Sequence, residues 1–128
     1  MNLQLQFSDC EVASVSAAHE AVFIRLSAAN VHQEGPRGER SEGFARGVLL
    51  VLHGVSLPES AGPLIGRVAQ GRVGGNGHWA ASIPLPTVLS GPIALELSLA
   101  NHAELVLAAS RIECCFEAGA NFSESLFC

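Results

Sequence analysis

The segment Gly43 to Leu57, GFARGVLLVLHGVSL, decides the fold of this chain. From Gly47 to Val55 it is almost continuously apolar, with an Arg-, Glu- and Gly-rich stretch before it and Pro58 after it. A strand whose side chains are apolar on both faces must be covered on both faces. The pattern therefore predicts a central strand at 47–55, buried on both sides, with the rest of the chain packed around it.

Most of the remaining sequence alternates apolar and polar residues with the period of two that is typical of half-buried strands. No window combines a sustained helical period with capping residues at both ends. The sequence thus predicts an all-β fold for residues 1–128: one domain, an antiparallel β-barrel or β-sandwich of about eight strands with little helix. The predicted strands lie at 2–8, 10–16, 19–29, 47–55, 64–73, 78–85, 92–100 and 103–117.

The last two predicted strands form a hairpin whose register can be derived. Leucines occupy one face of 92–100 and recur at Leu105 and Leu107. A three-residue loop, Ala100-Asn101-His102, sets Leu97 opposite Leu105, whereas a one-residue slip would turn the second strand inside out. Further along this strand the apolar phase changes, which predicts a bulge near Ala109-Ser110.

Two segments lack strand character. The polar stretch 31–42, VHQEGPRGERSE, contains two glycines and a proline among mixed charges and is predicted to be an exposed loop. The last residues, 118–128, are polar until Leu126-Phe127-Cys128 and are predicted to form a docked or mobile tail.

Composition and charge limit the possible partners. The net charge of -5 argues against nucleic acid, whose phosphates require a basic surface. Apolar residues make up 48% of the chain and charged residues only 15%, so we expect self-association, most simply as a two-fold dimer. All seven basic residues are Arg, and this Lys-free, Ala- and Gly-rich composition leads us to expect a bacterial source.

The N-terminal residues alternate Leu and Gln without a basic region, which is typical of a strand and not of a signal peptide. No apolar run approaches the roughly 18 residues that a membrane-spanning helix requires. We therefore expect a cytoplasmic protein that does not insert into a membrane. In that reducing compartment the four cysteines are expected to be free thiols.

The sequence contains no recognisable catalytic or metal-binding motif, and it identifies no family. Cys114 and Cys115 are adjacent, so a strand would direct them to opposite faces and away from a common metal ion. The five histidines have no ligand spacing, and no G-x-S-x-G elbow is present. The Gly-rich stretch 71–77 is predicted to be a hairpin turn. We predict no cofactor and no metal, and an enzyme remains only an open alternative.

Charged residues within strands are the remaining candidates for a site. They face water and pair across strands in the interpretation that we favour. In the alternative, two or three of them line a barrel mouth and anchor a ligand. The charged residues in question are Arg25, Arg46, Arg67, Glu96, Glu104 and Glu113, and the candidate ligand-binding set is Arg25, Arg46, Arg67, His53 and Trp79.

The sequence favours a non-enzymatic interaction or structural module that self-associates through an apolar face. A carrier or sensor that binds a small molecule inside a barrel is the alternative. A filled barrel with an apolar outer patch would favour the first function, and an internal cavity lined by Arg and Glu would favour the second.

Overall fold

The computed structural model describes residues 2–35, 37–55, 64–75 and 77–117. Within these ranges the chain forms nine antiparallel strands and no helix, which confirms the all-β prediction. The strands are β1 (Asn2–Ala18), β2 (Ala21–Glu34), β3 (Arg40–Ala45), β4 (Val48–His53), β5 (Gly66–Gly75), β6 (His78–Ala80), β7 (Ser82–Leu85), β8 (Thr87–Leu99) and β9 (Glu104–Phe116).

Six of these strands close into an antiparallel barrel in the order β1–β2–β4–β9–β8–β5, with β5 returning to β1. The other three extend it: β3 pairs with β2, β6 with β5 and β7 with β1. Closure rests on two cross-strand pairs, Glu11 with Arg67 and Val12 with Gly66. Closure of one continuous sheet distinguishes the barrel from a sandwich of two sheets.

The first two strands form a long hairpin around a two-residue turn. His19 and Glu20 both have positive φ, 53° and 60°, as a type I′ turn requires. The strands predicted at 2–8 and 10–16 form the single strand β1, with an irregularity at Ser8-Asp9, where Asp9 has φ 66° and the pairing with β2 shifts between Gln6 and Glu11. Because a bulge bends a strand, the first half of β1 pairs with β7 and the second half with β5.

The prediction of a loop at 31–42 is wrong at both ends. Val31 to Glu34 continue β2, and Arg40 to Glu42 begin β3, with Val31 opposite Gly43 and Gln33 opposite Ser41. Polar residues occupy these strands because their outer face is exposed and β3 is an edge, where charge discourages pairing with other chains.

The strand that decides the fold is β4, which lies between β2 and β9 along its whole length. Its inward residues Val48, Leu50 and Leu52 are at most 1% exposed. On the outward face Val51 is buried, but Leu49 and His53 are only half-buried. The prediction of burial on both faces therefore holds fully for the inner face and only at Val51 for the outer one.

The predicted β8–β9 register is confirmed, with Leu97 opposite Leu105 and Leu95 opposite Leu107. The loop residue in the left-handed region is His102, with φ 70°. The phase change is confirmed as well, because Ala109 and Ile112 both face inward. The predicted tail at 118–128 lies outside the described residues. Within the described ranges no helix is long and apolar enough to cross a membrane.

Candidate functional site

The barrel interior is filled by apolar side chains from every strand of the barrel. Among the described residues no polar or charged residue is buried. Ligand sites inside proteins need a few polar groups to orient the ligand, and this interior offers none. The largest fully buried side chains include Phe7, Ile24, Leu50, Leu95 and Ile112.

The three arginines of the predicted ligand set lie on the outside of the barrel, apart from one another. Arg25 Nη1 lies 2.9 Å from Glu117 Oε1, and Arg67 Nη1 lies 3.2 Å from Asp9 Oδ1. Arg46 is exposed in the turn between β3 and β4. This arrangement matches cross-strand pairing on the outer face and does not gather the arginines around one ligand.

His53, the fourth predicted residue, belongs to a charged cluster at the end of β4. Its Nε2 lies 2.6 Å from Glu113 Oε2 and 3.3 Å from Arg111 Nη2. The apolar phase of β9 changes here, so Ser110 and Arg111 are both exposed, and the Ser110 hydroxyl donates to the His53 carbonyl oxygen at 3.1 Å. Across the part of the chain that the structure describes, no three His, Cys, Asp or Glu side chains are arranged to hold a metal ion.

An apolar surface, here called the outer patch, covers the outside of β4 and its neighbours. Phe23 on β2 lies opposite Val51 on β4, and Leu49 on β4 lies opposite Cys115 on β9. The row of Val51 continues across the sheet through Glu113 on β9 to Val88 on β8. Val51 is only 8% exposed, because the surrounding side chains cover it, whereas Val88 is 57% exposed. The outer patch consists of Phe23, Leu49, Val51, Val88 and Cys115.

Charged groups border the outer patch at both ends, and one of them, Glu113, also separates Val51 from Val88 within it. The Arg25–Glu117 ion pair lies beside Leu49, and the cluster of His53, Glu113 and Arg111 lies beside Val51. An apolar centre with a polar rim is the usual anatomy of a protein–protein interface.

Trp79, the fifth predicted residue, lies near a polar depression on the outside of β5, β8 and β9. The Trp79 ring is 4.2 Å from the guanidinium carbon of Arg72, and Arg72 Nε donates to Glu96 Oε1 at 2.9 Å. The depression, here called the Arg72 depression, has a volume of about 340 Å³. Its lining residues are Gln70, Gly71, Arg72, Glu96, Ser98 and Glu104.

Sequence reasoning selected Trp79, Glu96 and Glu104 but missed Arg72, which contacts both Trp79 and Glu96. The alternation of β5 could have identified Arg72. The side chain of Arg72 is on the outward face of that strand, two residues before the hairpin glycines Gly74 and Gly75. A second polar depression, of about 250 Å³, lies on β1, β2 and β3. Its lining residues are Gln4, Gln6, His32, Gln33, Glu34 and Arg40.

The three cysteines that the structure describes are free thiols. Cys114 faces the core and Cys115 faces outward, as the adjacent positions predict. Burial raises the pKa of Cys10 to about 11 and that of Cys114 to about 12, so both thiols stay protonated and unreactive at neutral pH. Burial also raises the pKa of Cys115, and the charges of Glu113 and Glu117 raise it further.

Comparison with known proteins adds no relationship: no family model, curated protein or solved structure shows significant similarity to this chain.

Proposed function

We propose that this protein is a non-enzymatic interaction module that self-associates as a two-fold dimer through the outer patch. The observation that carries the proposal is the outward face of β4 and the start of β8, where half-buried Leu49 and exposed Val88 place apolar side chains outside a barrel whose interior is already filled. Apolar surface on the outside of a barrel gains free energy only when another surface covers it.

The rim of the outer patch suits contact between identical copies. Each end carries both signs of charge, Arg25 with Glu117 at one end and Arg111 with Glu113 at the other. A two-fold axis through the patch places each end of one copy beside an end of its partner, where opposite charges can meet. A stable dimer buries about 800 Å² per partner, so we expect the rim to contribute alongside the five apolar side chains.

The alternative function, a carrier or sensor with its ligand inside the barrel, has less support because the interior holds apolar side chains and no buried polar anchor among the described residues. Among the described residues we find no group that favours an enzymatic function.

Light scattering at tens of micromolar tests the proposal. We expect the wild-type protein to give twice the mass of one chain and Leu49→Asp to give the mass of one chain, with an unchanged circular dichroism spectrum. The matched control is Val106→Asp, because Val106 is 60% exposed on another part of the barrel. That variant should remain dimeric. A monomeric wild-type protein would refute self-association. A dimeric Leu49→Asp variant would show that the interface is not the outer patch.

A further inference from the structure

The Arg72 depression brings polar side chains from three neighbouring strands onto one outer face. In one row Gln70 lies opposite Ser98, and Ser98 lies opposite Glu104. In the next row Arg72 lies opposite Glu96. Neighbouring strands in a sheet are about 4.8 Å apart, so these groups are close enough to contact one small molecule together.

Two contacts hold Arg72 in place. Its Nε donates to Glu96, and its guanidinium lies over the Trp79 ring. The bond to Glu96 uses Nε, so the two terminal amino groups are not engaged in that contact and can donate to a ligand. A guanidinium fixed in this way loses less conformational entropy on binding than a mobile side chain does.

The chemistry of these groups selects among ligands. Arg72 supplies donors, Glu96 and Glu104 supply acceptors, and Gln70 and Ser98 supply both. One positive and two negative charges disfavour an anion, in agreement with the net charge of the chain, -5. A neutral molecule with many hydroxyl groups satisfies donors and acceptors together. The volume of about 340 Å³ lies at the small end of the range for ligand sites, about 300–1,000 Å³.

We propose that the Arg72 depression binds a neutral saccharide, with the partly exposed Trp79 ring extending the site beside Arg72. The saccharide site lies on strands β5, β8 and the first half of β9, whereas the outer patch lies on β2, β4, the second half of β9 and the start of β8. The two proposals therefore concern different surfaces, and a result against one is not a result against the other.

Trp79 is the only tryptophan in the chain, so its fluorescence reports on this site. The probes are maltose, cellobiose and lactose, with glycerol as a hydroxyl-bearing control that lacks a ring and glucose 6-phosphate as an anionic control. We expect at least one disaccharide to change the Trp79 emission saturably, with a dissociation constant of about 1 mM. Glycerol should give no saturable change, and the phosphate should bind more weakly than the sugars. Failure of all three disaccharides, or preference for the phosphate, would overturn the proposal.

Glu104→Gln tests the lining directly, because Glu104 is exposed and its loss should not disturb the fold. We expect that variant to bind the responding disaccharide about tenfold more weakly. The matched control is Glu42→Gln on β3, whose side chain is 74% exposed and distant from the site. Wild-type affinity in Glu104→Gln would refute the assignment, as would an equal loss in Glu42→Gln. Leu49→Asp should bind the sugar normally, which separates this result from the test of self-association.

Discussion

Phe7 on β1 packs against the backbone of Gly71 on β5 beside the point where the barrel closes. A Cβ added to Gly71 would lie 2.8 Å from the Cβ of Phe7 and 2.6 Å from Leu97 Cδ2. Because β1 and β5 share only two cross-strand pairs, the side chains beside them must fit closely for the sheet to close. Glycine at this position permits the close approach of the two strands.

We therefore expect Gly71→Val to lower the free energy of unfolding by about 1–3 kcal/mol, because the added methyl groups would overpack the contact with Phe7. Urea denaturation measures the change. The matched control is Ala69→Val on the same strand, where the residue is exposed and the substitution should have little effect. Equal stability of the two variants would show that closure does not depend on Gly71.

Leu50 is 1% exposed on the inward face of the central strand. We expect Leu50→Asp to abolish soluble expression, because an unpaired buried carboxylate costs several kcal/mol, a large part of the stability of a domain of this size. The neighbouring Leu49→Asp places the same carboxylate on the outward face and should still yield folded protein. Soluble Leu50→Asp protein with a normal melting temperature would show that this strand is not part of the core.

The inward faces of β8 and β9 could be predicted because their leucines repeat with a strict period of two. That repeat leaves one register, Leu97 opposite Leu105, that places apolar residues together on the core side. The phase change at Ala109 could be predicted for the same reason, since both halves of the strand face the core only if its alternation is interrupted. The position of the extra residue was wrong: it lies in β8, between Ser90 and Ile93, and not in β9.

The edge of the sheet and the outer surface could not be predicted in this way. Residues 31–34 and 40–42 are polar because they are exposed, so their strands lack the apolar signal on which the prediction depended. The meeting of Arg72, Trp79 and Glu96 depends on how β5 pairs with both β6 and β8. No local sequence pattern specifies that pairing.

His102 has φ 70° in the β8–β9 loop, a conformation that costs most L-residues about 1–2 kcal/mol. We expect His102→Val to lower the free energy of unfolding by about 1 kcal/mol, because a β-branched side chain tolerates this region least. His102→Gly should be at least as stable as the wild-type protein, since glycine adopts positive φ without steric cost. Thermal melting of both variants measures the difference, and greater stability of the valine variant would contradict the loop conformation.

The reactivity of Cys115 provides a test of the electrostatics of the outer patch. Burial raises the pKa of this thiol first, and the negative charges of Glu113 and Glu117 add to that effect because they disfavour a nearby thiolate. Only the thiolate reacts, so Cys115 should react more slowly than an ordinary thiol, and its rate should rise with pH through the raised pKa. The measurement uses a chromogenic aromatic disulfide in a Cys128→Ser background, where Cys10 and Cys114 are buried and react slowly. The protein is diluted until light scattering gives the mass of one chain, because a partner copy on the outer patch would cover Cys115.

In that background we expect Glu113→Gln to increase the reaction rate of Cys115 several-fold at mildly alkaline pH. The substitution removes a negative charge, which lowers the pKa of the thiol and raises the fraction present as thiolate. It also leaves Arg111 without the nearby carboxylate charge, and the resulting positive potential acts in the same direction. Glu104→Gln removes an equal charge on a different part of the barrel and should leave the rate unchanged. A rate that stays equal or falls in Glu113→Gln would show that the Glu113 carboxylate does not influence the thiol on the patch.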